Sequence, residues 1–240
     1  FLAQRISSIN SISALCEEAG ADIQSVKNAV GSDKRIGKDF LNAGPGFGGS
    51  CFKKDILNLV YLCKYYGLDE VGKYWQQVID LNTWQQKRIS KLIVDKLFGT
   101  ISGKKISILG FSFKADTNDT RESPSIKICK ELLEEGGNLS IYDPKVTPKN
   151  IEKELLMGPK LFSKESQEGF WSVADSIYES VENADAIVIL TEWEEFKHIN
   201  WSKCSKIMRS PSWLFDTRSV ADYKSASSFG INIWRVGLGK

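Results

Sequence analysis

The stretch Gly44-Pro45-Gly46-Phe47-Gly48-Gly49-Ser50-Cys51-Phe52-Lys53-Lys54-Asp55 constrains the chain more than any other. Four glycines in six residues suit neither a helix nor an ordinary strand. They suit a backbone that turns tightly and comes close to another group. Helical spacing follows at Ile56, Leu57, Val60, Tyr61 and Cys63, so Ser50 is expected to cap a helix whose first residue is Cys51. A thiol in that first turn meets the positive end of the helix dipole and its free amides. Lys53 and Lys54 add charge that favours the thiolate. Asp55 lies one turn along on the same face, placed to take a proton or to orient a water. A flexible, anion-friendly loop, an activated sulfur and a nearby carboxylate describe a nucleophilic site. The competing reading is a small core thiol beside a loop that only turns a corner.

The rest of the composition narrows the chemistry. With 42% hydrophobic and 26% charged residues, the 240-residue chain is expected to be soluble and globular, with one large or two modest domains. A net charge of +2 gives no reason to expect nucleic acid or an acidic membrane as partner. No apolar run approaches the roughly 20 residues needed to cross a bilayer. The five cysteines are scattered without a C-x-x-C pair and there is one histidine, His198, so no metal site is expected. A reduced, cytoplasmic setting fits. One histidine also argues against a serine or cysteine triad, leaving proton transfer to carboxylates, lysines or water. Cys16, Cys63 and Cys129 fall on apolar helical stripes and read as core thiols. The chain opens Phe1-Leu2-Ala3-Gln4, already in helical period and without an initiator methionine, and so reads as a piece of a longer polypeptide.

Periodicity divides the chain. Helices are expected over about 1–19, 22–31 and 50–66, then a very long one over about 69–98, roughly 40 Å at 1.5 Å per residue. Such a length suits a spine between domains or a subunit interface. Gly99 to Gly103 marks the expected boundary, giving an all-α domain over 1–98 and an α/β domain over 99–240. In the second part, strands are expected at 105–110, 139–142, 186–190, 213–215 and 232–236. Helices are expected from Ser123-Pro124 to Gly136 and from Ser172 to Glu182, with surface loops over 145–172. Alternating strands and helices call for a parallel sheet covered on both faces, a Rossmann-like α/β fold.

A strand, a glycine, a helix and a second strand ending in Asp143 invite a dinucleotide-binding assignment. The turn reads Gly110-Phe111-Ser112-Phe113-Lys114, whereas that fingerprint needs G-x-G-x-x-G for the backbone to approach a pyrophosphate. Aromatic rings and a lysine can instead hold a base and a phosphate or sugar. In open α/β sheets ligands bind at the carboxyl ends of the strands, where Phe113, Lys114 and Arg218 fall. The second domain therefore reads as a nucleotide-sugar binder.

The segment GPGFGGSCFKKD resembles the catalytic-cysteine segment of the UDP-glucose/GDP-mannose dehydrogenase family. The likeness continues through FLAQRISSINSISALCEEAGAD, DKRIG, YWQQVIDLN, ILGFSFKADTNDTRESPS, IYDPKV, TEWEEF and FDTR. It covers nearly the whole chain in order, apart from roughly residues 150–172. The resemblance implies NAD-dependent oxidation of the C6 alcohol of UDP-glucose to a carboxylate, with Cys51 as nucleophile and Asp55 activating water. It implies that Asn42, Ala43, Gly44, Pro45, Gly46, Phe47 and Gly48 line the sugar-nucleotide pocket, and that Phe113, Lys114 and Arg218 contact the UDP-sugar. Asn42 stands where relatives can carry a lysine. Arg35 is implied to reach the sugar nucleotide of a neighbouring subunit in a homodimer or larger homo-oligomer, and Lys54 and Arg121 to touch NAD. In the family a dinucleotide-binding domain and a catalytic lysine come before this region, so the piece is expected not to turn over alone. Two alternatives stay open: a sister enzyme acting on GDP-mannose or a UDP-N-acetylhexosamine, and a non-catalytic nucleotide-sugar-binding or oligomerisation module with Cys51 packed away.

Overall fold

A computed structural model describes residues 1–156 and 169–239. The first helix, α1 (Leu2–Ala19), ends at Gly20, whose left-handed backbone lets its N–H reach the Cys16 carbonyl. In α2 (Ile23–Gly31), Asp22 caps the first turn by accepting from the Gln24 amide. After the glycine loop come α3 (Phe52–Tyr65) and the 28-residue α4 (Asp69–Lys96). The start of α3 departs from expectation. Cys51 itself occupies the cap position with helical backbone and no side-chain cap bond. The Ser50 hydroxyl lies 3.7 Å from the Cys51 sulfur instead of on an amide.

The second half builds one sheet. Its elements are β1 (Lys105–Leu109), α5 (Pro124–Glu134), β2 (Asn138–Tyr142), α6 (Pro148–Leu155), β3 (Trp171–Val173), α7 (Ile177–Val181) and β4 (Ala186–Ile189). A 3-10 turn (Glu194–His198), α8 (Trp201–Ile207), β5 (Trp213–Asp216), α9 (Tyr223–Ser228) and β6 (Asn232–Arg235) follow. Ser123 caps α5 ahead of a first-turn proline, as its sequence announces. Two expectations are corrected. The 145–172 stretch is not all loop: Thr147-Pro148 opens α6, and Trp171 begins a strand. The helix expected over 172–182 shortens to α7, because Trp171–Val173 pairs with β2. Part of the expected loop, 157–168, lies outside the described residues.

All strand pairs are parallel, in the order β3-β2-β1-β4-β5-β6. Alternation sorts the side chains to two faces. Ile106, Ile108, Ile141 and Val188 join the core under α4 and α5, while Leu109, Ile187, Ile189 and Leu214 join the one under α7, α8 and α9. Strand order reverses between β1 and β4, and the carboxyl ends there define the crevice that suits a ligand in this architecture. The expected boundary at 99–103 is not a gap in packing. Ile89 and Ile93 of α4, with Leu97 just past its end, belong to the same buried cluster as Ile106, Phe111 and Ile128. That shared core fixes the glycine loop, carried between α2 and α3, against the carboxyl edge of the sheet.

Candidate functional site

The glycine loop is held, not loose. Ala43, Gly44, Pro45, Gly46 and Phe47 are buried. Buried amides from α1 and α4 satisfy their backbone, as buried polar groups require. The Gly44 N–H donates to Asn10 Oδ1 (2.8 Å), and Gln85 Nε2 donates to the Gly44 carbonyl (2.8 Å). Asn82 does both tasks for Phe47, accepting from its N–H at 2.8 Å and donating to its carbonyl at 3.2 Å. Gly46 sits at φ +119, and a Cβ added there would stand 2.6 Å from Asn82 Oδ1. At Gly48 a Cβ would come within 2.5 Å of the Glu122 carbonyl and 2.9 Å of Phe113 Cβ. These glycines exist for close approach.

Three segments meet through that approach. The Gly49 N–H donates to the Arg121 carbonyl at 2.8 Å, tying the loop to the turn after β1. Lys53 ion-pairs with Glu122 at 2.8 Å. Arg218, 15% exposed, donates from Nε to the Leu190 carbonyl (2.8 Å) and from Nη2 to the Phe113 carbonyl (3.2 Å), and pairs with Glu192 at 3.1 Å. Burial pulls the Arg218 guanidinium below the usual arginine value, and Glu192 opposes the shift. A Cβ on Gly44 would lie 3.6 Å from Arg218 Nη1, in ordinary contact. Gly44, Phe113 and Arg218 are thus neighbours at the switch point.

Cys51 stands at the open side of this junction, exposed, whereas Cys16, Cys63, Cys129 and Cys204 are buried. Burial pushes the Cys204 thiol up to about 11 and the Cys129 thiol further still. Arg121 is close enough to Cys51 for the two charges to interact; its larger partner is Asp119, which it grips through Nε (2.9 Å) and Nη2 (2.7 Å). Asp55 is exposed, with its N–H on the Cys51 carbonyl (2.9 Å) and its carboxylate hydrogen-bonded to no described residue. Lys54 is exposed beside it. Lys114 is exposed, its ammonium 5.7 Å from the Phe113 ring centroid.

Other placements are less central. Arg35 projects into solvent and pairs with Asp33 in the turn after α2. Asn42, exposed at the loop entrance, accepts from Lys27 of α2. Phe111 is fully buried in the core against Ile108 and Ile128, so only Phe113 of the two phenylalanines can face a base.

The amides of the β1 turn are already occupied. Asp143, at the end of β2, accepts from the N–H of Phe111 (2.7 Å) and Ser112 (3.1 Å) and from Trp193 Nε1 (3.2 Å). An internal carboxylate already fills the place where a pyrophosphate would take those amides. Sequence reasoning missed Asn10, Asn82 and Gln85. Their signal was available: Asn82, Gln85 and Gln86 share one stripe with Val78 and Ile89, and polar side chains on a buried stripe need partners. A recess of about 50 Å³ under the loop, bordered by Phe47, Gly49, Lys53, Gln86 and Glu122, is far below the ~300–1,000 Å³ of small-molecule pockets.

Comparison with known proteins returns one family from both halves. Its central-domain model, "UDP-glucose/GDP-mannose dehydrogenase family, central domain", matches residues 1–84, and its "UDP binding domain" model matches 107–223. The chain is 50% identical over 239 residues to UDP-glucose 6-dehydrogenase of Mus musculus and 48% over 237 to that of Drosophila melanogaster. In both cases 99% of this chain is covered and about half of the relative, 48% and 50%. A UDP-glucose dehydrogenase structure from Pyrobaculum islandicum superposes with TM-score 0.78 at 27% identity, over 100% of this chain and 49% of that one.

Proposed function

The chain belongs to the UDP-glucose/GDP-mannose dehydrogenase family, and we propose that it carries the thiol and the sugar-nucleotide contacts for NAD-dependent oxidation of UDP-glucose to UDP-glucuronate. The activity is assigned to the full-length enzyme, since this chain spans about half the length of the curated relatives it matches. Residues 1–98 are read as the helical domain bearing the thiol and 99–240 as the UDP-sugar domain. The observation that carries the reading is the position of Cys51. It is the exposed thiol, at the start of α3, within electrostatic reach of Arg121 and at the lip of a buried glycine loop that touches Arg218 and Phe113.

Phe113 offers a ring face for the uracil, Lys114 and Arg218 offer charge for the diphosphate, and the loop from Asn42 to Gly48 offers a close backbone wall for the sugar. The C6 aldehyde left by the first oxidation is an electrophile that would otherwise escape. Attack by the Cys51 thiolate forms a C–S bond and a thiohemiacetal, retaining the carbon for a second oxidation to a thioester. Asp55 orients a water whose oxygen adds to the thioester carbonyl, and cleavage of the C–S bond frees the acid and restores the thiol. NAD, when bound, accepts the hydrides, two per substrate. Lys54 and Arg121 on the Cys51 side suit its phosphates, whereas the β1 turn does not, because Asp143 holds the amides there.

A homo-oligomer completes the proposal. Tyr61, Tyr65 and Tyr66 at the end of α3 and Leu68, Val71 and Tyr74 at the start of α4 form an exposed apolar surface suited to a second copy. Sedimentation as a monomer at micromolar concentration would remove that part. Arg35, extended from its turn, is read as the residue offered to the neighbouring subunit's site.

The chemistry is tested by Cys51→Ser in the full-length enzyme. Net four-electron oxidation should fall at least roughly a thousandfold, while UDP-glucose binding persists. Iodoacetamide should label Cys51 well before Cys204. Undiminished UDP-glucuronate production by the serine variant defeats the assignment.

A further inference from the structure

A groove of about 490 Å³ runs beside the edge strand β6, between the last turn of α4, α9 and the turn after β6. Lys96, Lys224 and Arg235 bring three cations to it, and among the described residues no carboxylate lines it. Neither Lys96 nor Lys224 has an ion pair or side-chain hydrogen bond with a described residue. Lys96 instead lies 5.8 Å from the Trp213 ring centroid. The Arg235 guanidinium is held 4.9 Å above the Tyr223 ring, within electrostatic reach of the buried Asp216. Asp216 accepts the amides of Arg218, Val220 and Ala221 beneath the strand and does not itself line the groove.

The floor is apolar, from Ile233, Trp234 and Leu238, and the backbone adds donors. Asn232 and Val236 donate to β5, to the carbonyls of Ser212 and Asp216. By strand alternation the amides of Ile233 and Arg235 therefore face the open edge. Cations on an edge strand often serve only to discourage pairing with another sheet. Such residues stand out into solvent, whereas Lys96 and Arg235 are half-buried and, with the exposed Lys224, line a groove whose volume is in the range of small-molecule sites. Apart from Tyr223, every residue around the groove falls outside the segments 1–84 and 107–223 that the family models match. The groove is thus no part of what those models describe.

We propose that this groove is a second binding site, for a phosphorylated organic anion with a flat apolar body, the chemistry of a nucleoside polyphosphate. The Arg235 fork and the two lysines take the phosphates, and the Ile233–Leu238 floor takes the ring.

The test is calorimetric titration of the chain with ATP, tripolyphosphate, adenosine and a glutamate-rich decapeptide at low salt. ATP should bind, and the Lys224→Gln/Arg235→Gln double variant should weaken it by about tenfold or more. A Lys96→Gln/Lys224→Gln variant, which leaves the Arg235–Tyr223 stack in place, should weaken it in the same direction. Lys114→Gln, in the crevice at the switch point, should leave it unchanged. Tripolyphosphate and adenosine should each bind less tightly than ATP. The inference is overturned by absence of ATP binding up to millimolar concentration, by equal affinity in the groove variants, or by loss in Lys114→Gln. Tripolyphosphate or the acidic peptide binding as tightly as ATP also overturns it.

Discussion

Replacing Gly46 by alanine tests whether the glycine loop is clamped by α4. Two costs add at this residue. An L-residue forced to φ +119 bears strain of about 1–2 kcal/mol. Its Cβ would also stand 2.6 Å from Asn82 Oδ1, so the amide must withdraw and abandon the Phe47 N–H and carbonyl it now serves. Leaving those buried groups unpaired costs about 1–3 kcal/mol, for a combined loss of roughly 2–5 kcal/mol. Gly37→Ala is the matched control. Its φ is +72 and nothing lies within 4 Å of the added methyl, so strain alone remains. Urea unfolding followed by tryptophan fluorescence reads both, since there are seven tryptophans. With a slope near the upper end of the usual urea range, ~3 kcal/mol/M, Gly46→Ala should lower the midpoint by about 0.7–1.7 M. A Gly46→Ala midpoint no lower than that of Gly37→Ala, with the slope unchanged, would refute the clamp.

Two further outcomes follow from charged groups. Glu17, with a side chain 9% exposed, accepts from Arg88 (2.8 and 3.1 Å), Trp234 Nε1 (3.2 Å) and the Gly237 N–H (2.8 Å). Glu17→Ala leaves the half-buried Arg88 guanidinium without its carboxylate and should cost about 2–4 kcal/mol in the same urea assay, with Glu17→Gln losing less. The Arg121 guanidinium holds the Asp119 carboxyl below the usual carboxylate range. The stability it contributes is therefore present above the ordinary value of about 4 and lost as pH falls through the depressed one. Asp119→Asn should be less stable than the parent at pH 7, and the gap should close towards pH 3; a gap independent of pH rejects the pairing.

Sequence alone was most legible where local chemistry decides structure. The α1 stop at Gly20, the Asp22 cap and Ser123-Pro124 depend on neighbours a few residues away, and all three appear as expected. Ser50 misled because loop closure overrode capping propensity. With Gly49 bonded to Arg121, the backbone is already helical at Cys51 and the hydroxyl turns to the sulfur. β3 was hidden because a three-residue strand carries almost no period and is defined by its pairing with β2. Phe111 and Phe113 look alike as letters and would share a face if β1 simply continued, yet the chain leaves the strand at Gly110, with φ +92, and Phe111 turns into the core while Phe113 stays half-buried at the crevice. The polar clamp of Asn10, Asn82 and Gln85 joins positions 34 to 41 residues apart, a relation no local pattern displays.

Glu17 also bears on how the molecule comes into being. Its partners Trp234 and Gly237 lie 217 and 220 residues further along, and Gly239 closes onto Ala21. When this stretch leaves the ribosome, at about 5–20 residues per second, α1 waits on the order of ten seconds or more for the strand that completes its anchorage. During that interval the Glu17–Arg88 pair lacks its cover, and a chaperone has its natural opening.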